Sequence, residues 1–234
     1  SDDPLGDTAE ALSPTDWSSL SFVTNGDYAP ALASMGSYVY LVHGGTGTYD
    51  NHLYWSRYNG SSWTSDVAIP NQLSATTPSI AAFNGYLYMV HSGNASPNQV
   101  WISRFDPSTS TWSTNYQLPL SSIGSPAIAS FGGKLQIIRV NPSDHRMSLS
   151  TMNTSEVLSS DVAIPMAYST TTPSLAVLNG RLFVAHNDWP SDEIVVGSYD
   201  GSSWGANINP GGGVNGVVQE TSYPPALAAY SGQL

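Results

Sequence analysis

One short phrase recurs five times along this chain, and that recurrence limits what the chain can fold into more than anything else in it. A proline followed by small and apolar residues appears as Pro30-Ala-Leu-Ala, Pro78-Ser-Ile-Ala, Pro126-Ala-Ile-Ala, Pro173-Ser-Leu-Ala and Pro225-Ala-Leu-Ala, at steps of 48, 48, 47 and 52 residues. A second landmark runs in phase: Trp17, Trp63, Trp112, Leu158 (in place of Trp) and Trp204, spaced 46, 49, 46 and 46. Two landmarks holding one period mean a structural repeat whose single unit cannot bury its own apolar face. Such units stack or close into a ring.

The second repeat shows what one unit contains. Thr76 to Phe83 reads as a strand with Pro78 at its entry, where a missing N–H costs little. Asn84-Gly85 then gives a two-residue hairpin turn, and Asn179-Gly180, Gly132-Gly133 and Ser231-Gly232 fill the same slot elsewhere. A second strand, Tyr86 to His91, is matched by Tyr38 to His43, Lys134 to Arg139 and Arg181 to His186. A polar loop, a third strand (Val100 to Phe105, matched by Leu53 to Tyr58), a turn and a short fourth strand at the Trp landmark complete the unit. Four short strands per period of about 47 residues is the anatomy of a propeller blade.

The fold class is therefore all-β: a five-bladed β-propeller of four-stranded blades forming a single domain over residues 1–234, with repeats starting near Trp17, Trp63, Trp112, Leu158 and Trp204. Residues Thr8 to Trp17 lie without gaps over Val195 to Trp204, so the N-terminal strands are expected to complete the fifth blade and close the ring against the C-terminal ones. That blade is short: it offers 26 residues from Pro to landmark where the others use 31 to 34. Strand exchange in a homo-oligomer is the alternative closure. A bulky aromatic once per blade is expected to wedge neighbouring blades together, and the Ala-rich first strand suits the crowded axis.

Composition narrows the partners. A net charge of −11 with one Lys (Lys134) and five Arg argues against nucleic acid, which needs clustered cations, and against anionic lipid. No apolar run approaches the roughly 18 residues of a membrane span, so no membrane insertion is expected. Without cysteine there are no disulfides or thiolate metal sites. The chain opens Ser-Asp-Asp-Pro, as a processed form does, and three sequons (Asn59, Asn94, Asn153) are compatible with a secreted or extracellular-acting soluble protein.

The catalytic motifs that sequence can reveal are missing: no Gly-x-Ser-x-Gly elbow, Walker loop or His-Glu-x-x-His is present. Ser198-Tyr-Asp-Gly-Ser-Ser-Trp204 resembles a sialidase Asp-box turn, one residue shorter, but that turn is structural. Arg57 and Arg104 hold equivalent positions on different blades and so radiate apart. The four Glu (Glu10, Glu156, Glu193, Glu220) occupy no recurring slot, and nothing in their spacing suggests the carboxyl pair of a glycosidase. The histidines lack metal-ligand spacing. The expectation is a non-enzyme, without cofactor or metal.

Binding groups, unlike catalytic ones, can recur. His43, His91, Arg139 and His186 each end a second strand and feed a polar loop, and these loops bring Tyr49, Asp50, Asp144, Asp188 and Trp189. Trp55 and Trp101 lie on the third strands, followed by Arg57 and Arg104. Aromatic faces ringed by Asp, Asn, His and Arg suit a neutral sugar, whose C–H face stacks while its hydroxyls need planar donors and acceptors. The candidate set is His43, Tyr49, Asp50, Trp55, Arg57, His91, Trp101, Arg104, Arg139, His186, Asp188 and Trp189. The plainer alternative makes the histidines hydrogen-bonded hinge residues and the tryptophans packing.

The phrase Pro78-Ser-Ile-Ala-Ala-Phe-Asn-Gly-Tyr-Leu-Tyr-Met-Val-His91, followed by Trp-x-Ser-Arg-Phe and Ser-x-x-Trp, resembles the repeat of bacterial and fungal β-propeller lectins related to the Photorhabdus lectins. The resemblance runs from about Trp17 to Leu234. Those relatives usually have more blades; five blades of this length are similar to the tachylectin type, without its Trp-rich wording. The resemblance implies multivalent, non-enzymatic binding of glycans, of fucose or N-acetylglucosamine type, in pockets between blades. A protein–protein scaffold propeller and a sialidase-like glycoside hydrolase are the competing readings.

Overall fold

The computed structural model of the chain describes residues 28–46, 50–93, 99–210 and 219–234. They form antiparallel sheets, one per repeat. Blade 1 holds β1 (Ala31–Met35), β2 (Tyr38–Gly44), β3 (His52–Tyr58) and β4 (Val67–Leu73), in that spatial order. Blade 2 holds β5 (Ser79–Phe83), β6 (Tyr86–Ser92) and β7 (Gln99–Asp106), with β8 (Thr111–Trp112) and β9 (Tyr116–Ser121) both paired to β7. Blade 3 is β10 (Ala127–Phe131), β11 (Lys134–Val140), β12 (Arg146–Met152) and β13 (Val162–Tyr168). Blade 4 is β14 (Ser174–Leu178), β15 (Arg181–Asn187) and β16 (Ile194–Tyr199), with isolated bridges from Tyr199 to Trp204, Val196 to Ile208 and Glu193 to Glu220 where a fourth strand would lie.

The hairpins turn where the sequence says they should. Asn84-Gly85 and Asn179-Gly180 take φ of 49° and 80°, and of 48° and 72°. Two successive left-handed residues make the turn whose twist matches its strands, and Asn followed by Gly tolerates it best. Ser231-Gly232 adopts the same pair of angles, 48° and 81°, joining Tyr230 to Gln233.

The described residues build four blades, not the five that the period predicts. The fifth repeat contributes its inner phrase and turn only. Residues 8–17, expected to close the ring, lie outside the described residues. Even so, the phrases of all five repeats, Pro30, Pro78, Ala127, Pro173 and Pro225 among them, line one axial cavity of about 540 Å³. The Leu227 amide reaches across to the Ser174 hydroxyl of blade 4 at 2.9 Å. Small side chains on β1, β5, β10 and β14 let the inner strands crowd this axis.

Cohesion comes from three apolar layers between neighbouring blades. Between blades 1 and 2 lie Val42, Leu53, Trp55, Ile69, Leu87, Met89 and Phe105. Val90, Ile102, Leu118, Ile137 and Met152 fill the next, and Ile138, Met147, Ile164, Leu182 and Val184 the last. Each described landmark from blade 2 onward packs into the layer facing the preceding blade: Trp112, Leu158 and Trp204. Trp112 meets Phe105 at 5.5 Å between ring centroids, and Trp204 stacks on Tyr199 at 4.9 Å. They are wedges.

Trp55, named above as a sugar contact, belongs to this packing. It is 8% exposed, stacked on Tyr40 and 4.6 Å from the Phe105 ring. Strand alternation explains the correction: β3 sets Trp55 on its inward-packing face and Tyr54 on the other. Trp55→Ala is therefore expected to lower unfolding free energy by roughly 3–5 kcal/mol, the cost of emptying a large aromatic site. Urea denaturation followed by far-UV circular dichroism checks this; a loss below about 1 kcal/mol would show a surface role.

Candidate functional site

The second strand of every blade ends in a cationic or imidazole side chain, and the ladder sets a fixed partner opposite it. His43 faces Tyr54, His91 faces Trp101, Arg139 faces Ser148 and His186 faces Val195. The three histidines are buried. Each turns Nδ1 to a neighbouring carbonyl: His43 to Gly44 at 2.7 Å, His91 to Ser92 at 3.3 Å, His186 to Asn187 at 3.2 Å. A carbonyl only accepts, so Nδ1 carries the proton, and in a neutral ring Nε2 is left as an acceptor.

The four slots differ beyond that point. His43 Nε2 meets Asp66 at 3.1 Å and the ring stacks on Tyr54. Arg139 pairs with Asp161 at 2.5 Å and donates to the Ser121 carbonyl at 2.7 Å. In blades 2 and 4 the Nε2 atoms of His91 and His186 are buried without a hydrogen-bond partner.

The blade 2 slot opens into a cleft. About 270 Å³ lie between Asn71 and Leu73 of blade 1 and His91, Gly93, Gln99, Trp101 and Asn115 of blade 2. A bulge sets up the blade 1 wall: the β3–β4 register shifts between His52 and Tyr54, and Asn71 takes a left-handed φ of 57°. On the other wall a Cβ at residue 93 would stand 2.5 Å from the Trp101 Nε1, so only glycine lets the indole lie there. Burial pushes the His91 imidazole down to about 4, opposed in part by its bond to Ser92. At neutral pH the cleft thus offers one half-buried indole and amides at Asn71, Gln99 and Asn115, while the unpaired His91 Nε2 is itself buried.

The remaining candidates fall elsewhere. Arg57 lies over the Tyr38 ring at 4.6 Å and Arg104 over Tyr86 at 4.4 Å. Arg104 also pairs with Glu156, which accepts from the Tyr88 hydroxyl at 2.9 Å, in a separate hollow of about 190 Å³ between blades 2 and 3. Burial first, then Glu156, pushes the Tyr88 phenol up to about 12. Neither Arg reaches the His91 cleft, because alternate residues of β3 and β7 face opposite sides. Asp50 accepts from His52 and Tyr54, bonds that hold its carboxyl below the usual range, the His52 side chain first. Tyr49 lies outside the described residues.

Blade 4 has its own chemistry. Asp188 and Glu193 stand directly opposite on the hairpin between β15 and β16, where the Asp188 N–H donates to the Glu193 carbonyl at 2.7 Å. Burial raises the Asp188 carboxyl; His186 opposes this and the Glu193 charge adds to it. Glu193 accepts from the Asn209 amide at 3.1 Å. Exposed Trp189 stacks on His145 of blade 3, with centroids 4.8 Å apart and rings 8° from parallel. The spacing of the Glu residues gave no hint of this carboxyl pair; the hairpin register creates it.

Sequence reasoning missed Tyr54, Asn71, Leu73, Gly93, Gln99 and Asn115. One signal was available for Asn115: with Asp66, Asp161 and Asn207 it recurs three residues after each landmark.

Among solved structures the chain is similar to an exo-β-1,3-galactanase from Phanerochaete chrysosporium bound to β-1,3-galactotriose (TM-score 0.58, 12% identity, 80% of this chain and 50% of that one). It is also similar to YjhT (TM-score 0.56, 14% identity, 82% and 68%). A GH43_1 enzyme from Xanthomonas citri in complex with xylose gives 0.55 at 10% identity, over 76% and 72%. The chain spans half the length of the galactanase. At these identities the likeness establishes the β-propeller fold alone. No protein-family model and no curated protein matches, so the lectin resemblance gains no family support. The expectation of a non-enzyme is overturned: the fold neighbours include glycoside hydrolases, and blade 4 holds a carboxyl pair that spacing did not reveal.

Titration of His91 has a consequence for stability. Its folded midpoint of about 4 lies below the ordinary 6.5, so the native state resists the proton that the unfolded chain accepts. This contribution is complete above about 6.5 and drains away as pH falls toward 4. In His91→Gln it vanishes. Urea unfolding at pH 7 and pH 4.5 should show wild type losing more stability than the variant; equal losses would mean an exposed imidazole.

Proposed function

We propose that this chain is a carbohydrate-recognising propeller, holding a terminal sugar between blades 1 and 2 much as a lectin does. The carrying observation is the cleft that sets Trp101 beside the unpaired Nε2 of buried His91, with three amides around them. Trp101 provides the platform for a pyranose C–H face. A sugar hydroxyl donates to His91 Nε2, relieving a buried acceptor whose isolation costs about 1–3 kcal/mol. Asn71, Gln99 and Asn115 each offer a donor and an acceptor. The sugars held by two of the fold neighbours, β-1,3-galactotriose and xylose, are in keeping with this chemistry.

A single shallow site of this kind binds at millimolar to micromolar strength, about −4 to −8 kcal/mol. Further blades would add avidity on a glycan-coated surface. The proposal includes a fifth blade, supported by the fifth proline phrase standing with the other four around the axis.

Glycoside hydrolysis is the second reading, favoured by the opposition of Asp188 and Glu193. A part-buried Asp188 whose carboxyl is raised by burial, beside a Glu193 held by Asn209, has the asymmetry of a general acid and its partner. Bond cleavage would pass the Asp188 proton to the leaving oxygen while Glu193 draws a proton from the attacking water.

Glycan-array binding followed by calorimetry with the free monosaccharide tests the first reading. Trp101→Ala should abolish that binding while leaving the fold intact, since its indole is half exposed. Release of reducing sugar from a glycoside panel, lost in Asp188→Asn, would move the conclusion to hydrolysis. A folded protein that neither binds nor turns over any glycan contradicts both.

A further inference from the structure

The four equivalent slots form a natural comparison. The strand pairing that ends in His43, His91, Arg139 or His186 is shared; the residue three places after the landmark is not. It is Asp66 in blade 1, Asn115 in blade 2, Asp161 in blade 3 and Asn207 in blade 4. Where it is Asp, the basic group is tied: His43 to Asp66 at 3.1 Å and Arg139 to Asp161 at 2.5 Å. Where it is Asn, the Nε2 of His91 or His186 is buried and unpaired.

From this pattern we infer that the residue three places after each landmark is a lock: aspartate closes its slot by pairing with the basic group, and asparagine leaves that group free for ligand. The inference rests on the sugar-binding reading and adds where sugar can and cannot bind.

The physical basis is the difference between a carboxylate and an amide. Asp66 and Asp161 carry charge, accept only, and hold the opposing group in a charge-assisted bond. The paired His43 and Arg139 side chains are 4% and 11% exposed, so a neutral hydroxyl must displace a shielded ion pair to reach either. Asn115 makes no such claim on His91. Asn207 instead donates to the Met166 carbonyl of blade 3 at 3.2 Å and makes no bond to His186, whose ring also feels the Tyr168 carbonyl.

Among the described residues the lock therefore leaves open the slots of blades 2 and 4, and these two are not alike. Blade 2 sets Trp101 opposite its imidazole, whereas blade 4 sets Val195 there and puts Asp188 and Glu193 where blade 2 has Gly93 and Gln99. A neutral sugar that needs an aromatic platform has one open slot. In blade 1 Tyr54 stacks on His43, and Asp66 holds the imidazole.

One substitution on the full chain tests the lock, with the proton NMR titration of the His91 ring as a readout that needs no ligand. Asn115→Asp should raise the His91 midpoint from about 4 and weaken binding of the array-identified monosaccharide by at least about tenfold, as loss of one charge-free acceptor implies. A midpoint that stays near 4 in Asn115→Asp would overturn the lock, and so would a raised midpoint with undiminished binding. If wild type binds no sugar yet the midpoint rises, the lock stands and the sugar-binding reading fails.

Discussion

Contact between the apolar faces of neighbouring blades is the interaction on which everything else here depends. No blade is thick enough to hide both faces of its sheet, so Val42 and Leu53 need Met89 and Phe105 from the next blade, and Ile138 and Met147 need Leu182 and Val184. Burying apolar surface is worth about 25 cal/mol per Å², and in this chain most of it is shared between repeats. The landmark aromatics seal those layers from the outer side, and alanines thin the inner strands so that the blades can converge. With one charged residue in ten, ion pairs play a small part in holding the ring.

The same contact makes the candidate site. A cleft opens at the polar end of an inter-blade layer because two blades diverge there, and its walls necessarily come from different repeats: Asn71 from one, His91 and Trp101 from the next. The cost of burying His91 without a partner for Nε2 is borne by the packing around it. Across the same seam the Ser103 hydroxyl donates to Gln72, and the Gln72 amide donates to the Ser113 carbonyl, so polar groups that cross it are satisfied in a chain.

Much of the fold was legible in the sequence. The period, the hairpin turns at Asn84-Gly85 and Asn179-Gly180, the strand limits and the wedge role of the landmark all follow from local chemistry repeated in phase. The blade count did not, because the period gives five phrases while the described residues pair into four sheets. The site was half legible. Trp101 and His91 were found, yet Trp55 was paired with Trp101 although the strand register matches Trp101 to Tyr54. A slip of one residue moves a side chain to the other face of a strand, and tryptophan is a stronger visual signal than position. Asn71 and the Asp188–Glu193 opposition could not be read locally, since one needs the neighbouring blade and the other a hairpin register.

A crystal structure of the protein with its best array ligand tests the central claim most directly. The account predicts a pyranose lying on the Trp101 indole, with a hydroxyl within hydrogen-bonding distance of His91 Nε2 and an amide contact from across the blade seam at Asn71. Sugar seated instead in the axial cavity or on the Asp188–Glu193 hairpin, with the His91 cleft left to solvent, would contradict it.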